Sequence, residues 1–167
     1  MKIYLLTHPR ELPKPTNTGK LVLEVLGTAA RLVEWSRVEP DEELLNLTEQ
    51  GQLALLYPGE GSVELSEMLA GLETGKPCEA GIQGLVVLDG TWQEARKIYN
   101  KSPYLHNLPR IALKVNSGSR YNLRRNQLEE GLCTAECVAH LLQALGRESE
   151  AGKLNIRLDE FIASNKC

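Results

Sequence analysis

The chain is expected to fold as one α/β domain, with a mostly parallel sheet flanked by helices. Two observations lead there. Short aliphatic and β-branched runs recur between turn-forming residues. Segments with helical spacing alternate with them, the order that yields strand–helix–strand units and parallel pairing. The length, 167 residues of which 42% are hydrophobic, is enough for one substantial core and short for two domains of ordinary size. A single domain over residues 1–167 follows, with no repeat, linker or low-complexity run to divide it.

The first strand is expected at Lys2 to Thr7. Its apolar stretch, Ile3 to Leu6, ends at Thr7-His8-Pro9, too short for a signal-peptide core or a membrane span. A cytoplasmic location and no membrane partner are therefore expected. A polar segment to Lys20 leads into a helix with Leu21, Val22, Val25 and Leu26 on one face, stopped by Gly27. Strands follow at Arg31 to Trp35 and Leu53 to Tyr57, and a helix carries Leu65, Met68, Leu69 and Leu72. A buried strand is expected at Leu85 to Leu88 and another at Arg110 to Val115. The last two helices present Val138, Leu141, Leu142 and Leu145, stopped by Gly146, and then Leu154, Leu158, Phe161 and Ile162.

The formal net charge of −3 hides a strong asymmetry. Between Arg96 and Arg125 lie eight of the 19 Lys and Arg residues and no Asp or Glu, leaving 11 basic against 22 acidic residues elsewhere. Such a distribution marks a local anion-binding face on an acidic body, the footprint of a nucleic-acid partner. A solvated basic surface has the same signature. Tyr99, Tyr104 and Tyr121 interleave with these charges and suit stacking on bases. The four cysteines, Cys78, Cys133, Cys137 and Cys167, form no C-x-x-C pair. They read as reduced thiols in small hydrophobic positions, and no metal site is expected.

In a parallel sheet the chemistry belongs at the loops beyond the carboxyl ends of the strands. The strand ending at Leu88 runs into Asp89-Gly90-Thr91-Trp92-Gln93-Glu94. Thr91 and Glu94 have capping-box spacing, which starts a helix there and turns its N–H groups and positive dipole end toward the crevice. Asp89, just before it, is placed to accept a proton from a substrate. An Asp-Gly turn followed by an N-cap accounts for the same residues structurally. Trp92 favours a ligand, because an indole beside a cleft calls for something to pack against. Tyr57-Pro58-Gly59 is a weaker junction of the same kind. Thr134 and Thr18 read as helix caps, with Glu136 in the first turn of the helix that follows Cys133. His8 reads as a structural histidine or a ligand-binding group. Gly19-Lys20 is not part of a phosphate-cradling loop, because Lys14 stands where that loop needs its first glycine.

Together these blocks resemble the DTW-domain family. Asp89-Gly90-Thr91-Trp92 matches its naming motif and continues through Glu94-Ala95-Arg96-Lys97. Thr16-Asn17-Thr18-Gly19, Trp35-Ser36-Arg37, Tyr57-Pro58, Ser102-Pro103-Tyr104-Leu105, Tyr121-x-Leu123-Arg124 and Cys133-Thr134-Ala135-Glu136 are similar to further family blocks in the same order. The resemblance spans about Leu5 to Leu145. It implies a tRNA-uridine aminocarboxypropyltransferase, which moves the 3-amino-3-carboxypropyl group of S-adenosylmethionine to N3 of a uridine and leaves methylthioadenosine. It also implies a SPOUT-like architecture with a C-terminal trefoil knot, an exception to the usual absence of knots. Many bacterial members carry an N-terminal cysteine-rich extension, whereas here the first strand begins almost at Met1. The expectation is that tRNA is held without it.

On that resemblance S-adenosylmethionine is expected against Leu56, Tyr57, Pro58, Leu88, Gly90, Cys133, Thr134, Ala135 and Glu136, with Thr18, Thr91 and Trp92 orienting its methionine tail. Asp89 is the candidate general base, or else the partner of the ammonium group. Lys20, Arg96, Lys97, Arg120, Arg124 and Arg125 are the candidates for tRNA phosphates. Two other readings stay open: an RNA methyltransferase on the same architecture, and a cofactor-free RNA-binding module.

Overall fold

The computed structural model describes residues 1–15, 17–57, 62–64, 82–112 and 133–165. Among these residues six strands are β1 (Lys2–Thr7), β2 (Ala30–Glu34), β3 (Leu53–Leu56), β4 (Val63–Glu64), β5 (Gly84–Asp89) and β6 (Arg110–Ala112). The helices are α1 (Gly19–Leu26), α2 (Glu42–Glu49), α3 (Trp92–Asn100), α4 (Thr134–Ala144) and α5 (Glu148–Asn165). The strands form one sheet in the order β2-β1-β5-β3-β6-β4, and its pairings are parallel throughout.

Alternation within the strands gives the sheet two buried faces. Ile3 and Leu5 of β1, Ala54 of β3, and Leu85 and Val87 of β5 point into one core with α1, α4 and α5, which supply Leu21, Val22, Val138, Leu142, Leu154 and Leu158. Tyr4 and Leu6, Leu53 and Leu55, and Val86 point the other way, onto Leu44 of α2, Ile98 of α3, and Leu105 and Leu108. The central strand β5 is covered on both sides, so truncating Leu85 to Ala should cost about 2–5 kcal/mol.

Most expected elements are present. Gly27 and Gly146 end α1 and α4 at φ of 54° and 79°, where a side chain is strained. Trp35 and Tyr57 fall just outside their strands, although the Trp35 N–H still donates to Thr7 O at 2.8 Å and the Tyr57 N–H to Ile111 O at 3.1 Å. Two elements escape the periodicity argument: the two-residue strand β4, and α2, which Asp41 caps by accepting from the Leu44 N–H. Helix α2 buries Leu44 alone, so its apolar stripe is weak. The helix expected around Leu65 to Leu72 and the end of the strand at 113–115 lie outside the described residues. So does the path over 113–132, on which the expected knot depends. No described helix is long and apolar enough to cross a membrane.

The order of strands also fixes where a ligand belongs. The chain leaves β1 toward β2 on one side and leaves β5 toward β6 on the other. The two connections diverge between neighbouring strands, which opens a crevice at their carboxyl ends. Those ends are Thr7 and Asp89, which face each other in register.

Candidate functional site

Asp89 is the last residue of β5 and is 0% exposed. Its carboxylate is surrounded by donors from three other segments. The Thr134 hydroxyl donates to Oδ1 at 2.7 Å, the Thr7 hydroxyl lies 3.1 Å from Oδ2, and Asn17 Nδ2 donates to both oxygens at 3.1 and 3.0 Å. The same Asn17 nitrogen reaches Glu11 Oε2 at 3.1 Å, and Lys14 Nζ holds Glu11 Oε1 at 2.9 Å. Burial raises the Asp89 pKa above its ordinary value; the hydrogen bonds from Thr134, Asn17 and Thr7 pull it down, and the Glu11 charge pushes it up. The short distance from Gly19 to this carboxylate explains that glycine, since a Cβ there would sit 2.6 Å from Asp89 Oδ2.

Thr91 and Glu94 form the expected capping box. The Thr91 N–H donates to Glu94 Oε1 at 2.8 Å, and the Glu94 N–H to Thr91 Oγ1 at 3.2 Å. The N–H groups of Thr91 and Glu94 are therefore occupied by the protein itself. Two cap assignments also change. Thr18 stands at the N-cap of α1 but makes no side-chain cap bond there. Its Oγ1 accepts instead from the Ala135 N–H of α4 at 3.1 Å. The N-cap of α4 is Cys133, whose N–H donates to Glu136 Oε1 at 3.3 Å, while Thr134 is spent on Asp89. Thus Thr18, Cys133, Thr134, Ala135 and Glu136 gather beside Asp89 and Gly90 through bonds between distant segments.

His8 is buried at the end of β1. Its Nδ1 accepts from the Arg10 N–H at 3.1 Å, its ring stacks on Trp35 at 5.6 Å, and burial lowers its pKa. An accepting Nδ1 places the proton of the neutral ring on Nε2. The 3.7 Å approach of Nδ1 to Glu94 Oε2 is then no ion pair at neutral pH. Desolvation pushes the Cys133 thiol up and the Cys137 thiol up to about 12, so neither is an activated nucleophile.

Leu56 ends β3 with Tyr57 just beyond it, and Leu88 precedes Asp89 in β5. Leu56 packs on the α4 side of the sheet; Tyr57 and Leu88 pack on the α3 side. Tyr57 stacks between Trp92, at 5.9 Å and 16°, and Tyr99, at 4.2 Å and 12°. Arg96 and Lys97 are exposed on α3. Lys20 is exposed on α1, donating to Pro15 O at 3.3 Å and lying 5.1 Å over the Phe161 ring. Pro58, Arg120, Arg124 and Arg125 lie outside the described residues. Thr7, Glu11 and Asn17 stand in a polar segment too rich in functional groups for a mere connector, but no local pattern marks any of the three individually as a site residue. Asn17 stood within a family block, and nothing in its local pattern signals a bond to a residue 72 positions away.

A parallel sheet covered by helices on both faces, with a polar cluster at the divergence of β1 and β5, defines an α/β protein of the doubly wound kind. The sequence model of the DTW domain matches residues 1–166, and the chain belongs to that family. It is 30% identical over 160 residues to tRNA-uridine aminocarboxypropyltransferase 2 of Drosophila melanogaster, covering 93% of this chain and 61% of that protein. To the protein of the same name in Macaca fascicularis it is 27% identical over 150 residues, 88% of this chain and 48% of the relative. The chain thus spans roughly half to three-fifths of the length of these curated relatives. Among solved structures it is similar to the SAM-dependent rRNA:acp-transferase Tsr3 from Vulcanisaeta distributa, with a TM-score of 0.59 and 21% identity over 98% of this chain and 75% of that one. That likeness establishes a shared fold.

Proposed function

We propose that this protein transfers the 3-amino-3-carboxypropyl group of S-adenosylmethionine to N3 of a tRNA uridine. The observation that carries the reading is the position of the family's naming motif. Asp89-Gly90-Thr91-Trp92 lies at the carboxyl end of β5, in the crevice where the β1 and β5 connections part. The curated relatives' names support aminocarboxypropyl transfer to a tRNA uridine, and the fold shared with Tsr3, a SAM-dependent rRNA:acp-transferase, is compatible with it.

The residues present suit a cationic sulfonium. Around the crevice stand the carboxylates of Asp89, Glu11 and Glu94, and Lys14 bonds one of them while lying 3.8 Å from another. The Trp92 indole, in the first turn of α3, is 37% exposed, and an indole is suited to packing on a cation. When bound, S-adenosylmethionine supplies an activated carbon whose bond to sulfur breaks as the N3–carbon bond forms, releasing neutral methylthioadenosine and the N3 proton. Leu56, Tyr57, Pro58, Leu88, Gly90 and the residues Cys133 to Glu136 would hold it, with Thr18, Thr91 and Trp92 orienting its tail. Orientation decides which of the three carbons on sulfur meets the uridine.

Asp89 has two roles to separate. A base must touch the N3 proton, whereas the buried carboxylate is bonded to Thr7, Asn17 and Thr134. In our reading it is a positioning residue that holds the start of α4 against β5. Lys20, Arg96, Lys97, Arg120, Arg124 and Arg125 take tRNA phosphates, each contact adding about one to the slope of affinity against salt.

The test is incubation with S-adenosylmethionine and unmodified tRNA, followed by mass spectrometry of both products. Methylthioadenosine with 3-(3-amino-3-carboxypropyl)uridine supports the reading. S-adenosylhomocysteine with a methylated nucleoside would assign a methyltransferase instead. The same assay on Asp89→Asn resolves the carboxylate's role. Retained turnover with an unchanged pH profile supports positioning, and abolition of turnover with intact cofactor binding supports a base.

A further inference from the structure

Four aromatic rings line one rim of the sheet outside the Asp89 cluster. Trp92 begins the row in the first turn of α3, Tyr57 follows from the end of β3, Tyr99 from the last turn of α3, and His106 from the short 3-10 turn Pro103–Asn107. Tyr99 and His106 stand 4.5 Å apart at 47°. The two tyrosines are half-buried and packed against the core on the α3 side of the sheet, while the ends of the row, Trp92 and His106, are exposed. The row is therefore rigid in the middle and open at its ends.

The surface beside it is basic. Trp92, Arg96 and Tyr99 follow one another at i, i+4 and i+7 on a single stripe of α3. Lys97 and Lys101 flank them in the open, and the one acid of the helix, Glu94, is turned inward to Thr91 with only 12% of its side chain exposed. Burial raises the Tyr57 pKa, and the charges of Arg96 and Arg110 oppose that rise. His106 Nε2 is 2.8 Å from Tyr99 O, a carbonyl that only accepts. The neutral ring thus carries its proton on Nε2 and is held against the stack by that bond.

Three stacked rings followed by a tilted, exposed heteroaromatic, with cations alongside and no exposed acid on the helix, match a nucleic-acid base with its phosphates. We propose that the His106 end of this row is a stacking platform for an unpaired base of the RNA substrate, with Arg96 and Lys97 taking the adjacent phosphates. The proposal rests on the RNA reading above and names where a nucleotide other than the reacting uridine sits.

The probe is a single-stranded, uridine-rich oligoribonucleotide carrying one 2-aminopurine, whose fluorescence falls when the base stacks. The full chain should quench it. His106→Ala should abolish the quenching and weaken binding by about 5- to 150-fold, the range for loss of one base stack. His106→Phe should restore both, and each variant should still melt in one cooperative transition, because the exposed ring gives up only a surface contact and its bond to Tyr99 O. Lys97→Ala should lower the salt slope by about one while keeping the quenching. Unchanged quenching in His106→Ala, or no rescue by His106→Phe, overturns the platform. The product assay distinguishes this from failure of the function: aminocarboxypropyluridine formed by a protein whose His106→Ala variant binds RNA normally removes the platform alone. Quenching lost in His106→Ala and restored by His106→Phe, without that product, keeps the platform and removes the reaction.

Discussion

The Thr134 hydroxyl donates to Asp89 Oδ1 at 2.7 Å, joining residues 45 positions apart. Asp89 closes β5 and Thr134 opens α4, so one hydrogen bond ties the start of a helix to the carboxyl end of the central strand. Thr18 reinforces the tie by accepting from the next N–H of α4. The polar cluster is thereby also a joint between two halves of the chain.

Thr134→Val keeps the shape and removes the donor. It should destabilise the fold by about 1–3 kcal/mol, the cost of depriving a buried charged acceptor of its partner. Thr134→Ser should stay within about 0.5 kcal/mol of the parent. Urea denaturation measures both, and equal midpoints for Val and the parent would show that the bond contributes nothing.

Gly19→Ala places a Cβ 2.6 Å from Asp89 Oδ2 and 3.1 Å from Asn17 Oδ1. Neither atom is free to swing away, because both side chains are bonded in the cluster. A loss of about 1–3 kcal/mol is expected, as for other overpacked interiors. Gly152, inside α5, has nothing within 4 Å of the corresponding position. Gly152→Ala should therefore stabilise by about 0.5–1 kcal/mol through helix propensity. Thermal melts of the pair should move in opposite directions.

His8 carries a pH dependence of known sign. Burial lowers its folded pKa below the ordinary 6.5, so the unfolded chain binds the proton first. Its contribution is present above pH 6.5 and is lost as the pH falls through the folded value. His8→Asn keeps an acceptor for the Arg10 N–H and cannot titrate. Denaturation at several pH values from 7.5 to about 5 should show a steeper decline for the parent. Parallel curves would mean that His8 does not contribute.

Asp41 both caps α2 and pairs with Arg31, whose Nη2 lies 2.8 Å from Oδ1. The Arg31 hydrogen bond holds the carboxyl below its ordinary 3.8. Asp41→Asn keeps the cap and loses the charge, costing up to about 1 kcal/mol for a partly exposed pair. Asp41→Ala should cost a further 0.5–2 kcal/mol or so for the cap. The gap between parent and Asn should be full above pH 3.8 and close as the pH falls through the lowered value. A gap that persists in acid would point to packing instead of charge.

The sequence by itself determined the elements whose signals are local. Apolar runs placed β1, β2, β3 and β5; Gly27 and Gly146 ended their helices; and the Thr91 and Glu94 pair started α3, because such signals act within one or two turns of chain. They also put Asp89 at a strand's carboxyl end. The weak stripe of α2 and the two residues of β4 gave periodicity too little to register. The tertiary structure alone decided which groups meet. Thr18 looked like the cap of its own helix, yet it serves a helix 117 residues away. Thr134 likewise looked like a cap, and nothing local in Thr7, Asn17 or Thr134 signals that all three converge on Asp89. The physical reason is that a polar side chain takes the partner that the sheet order brings beside it, and β1 next to β5 is a choice made by packing across the whole chain.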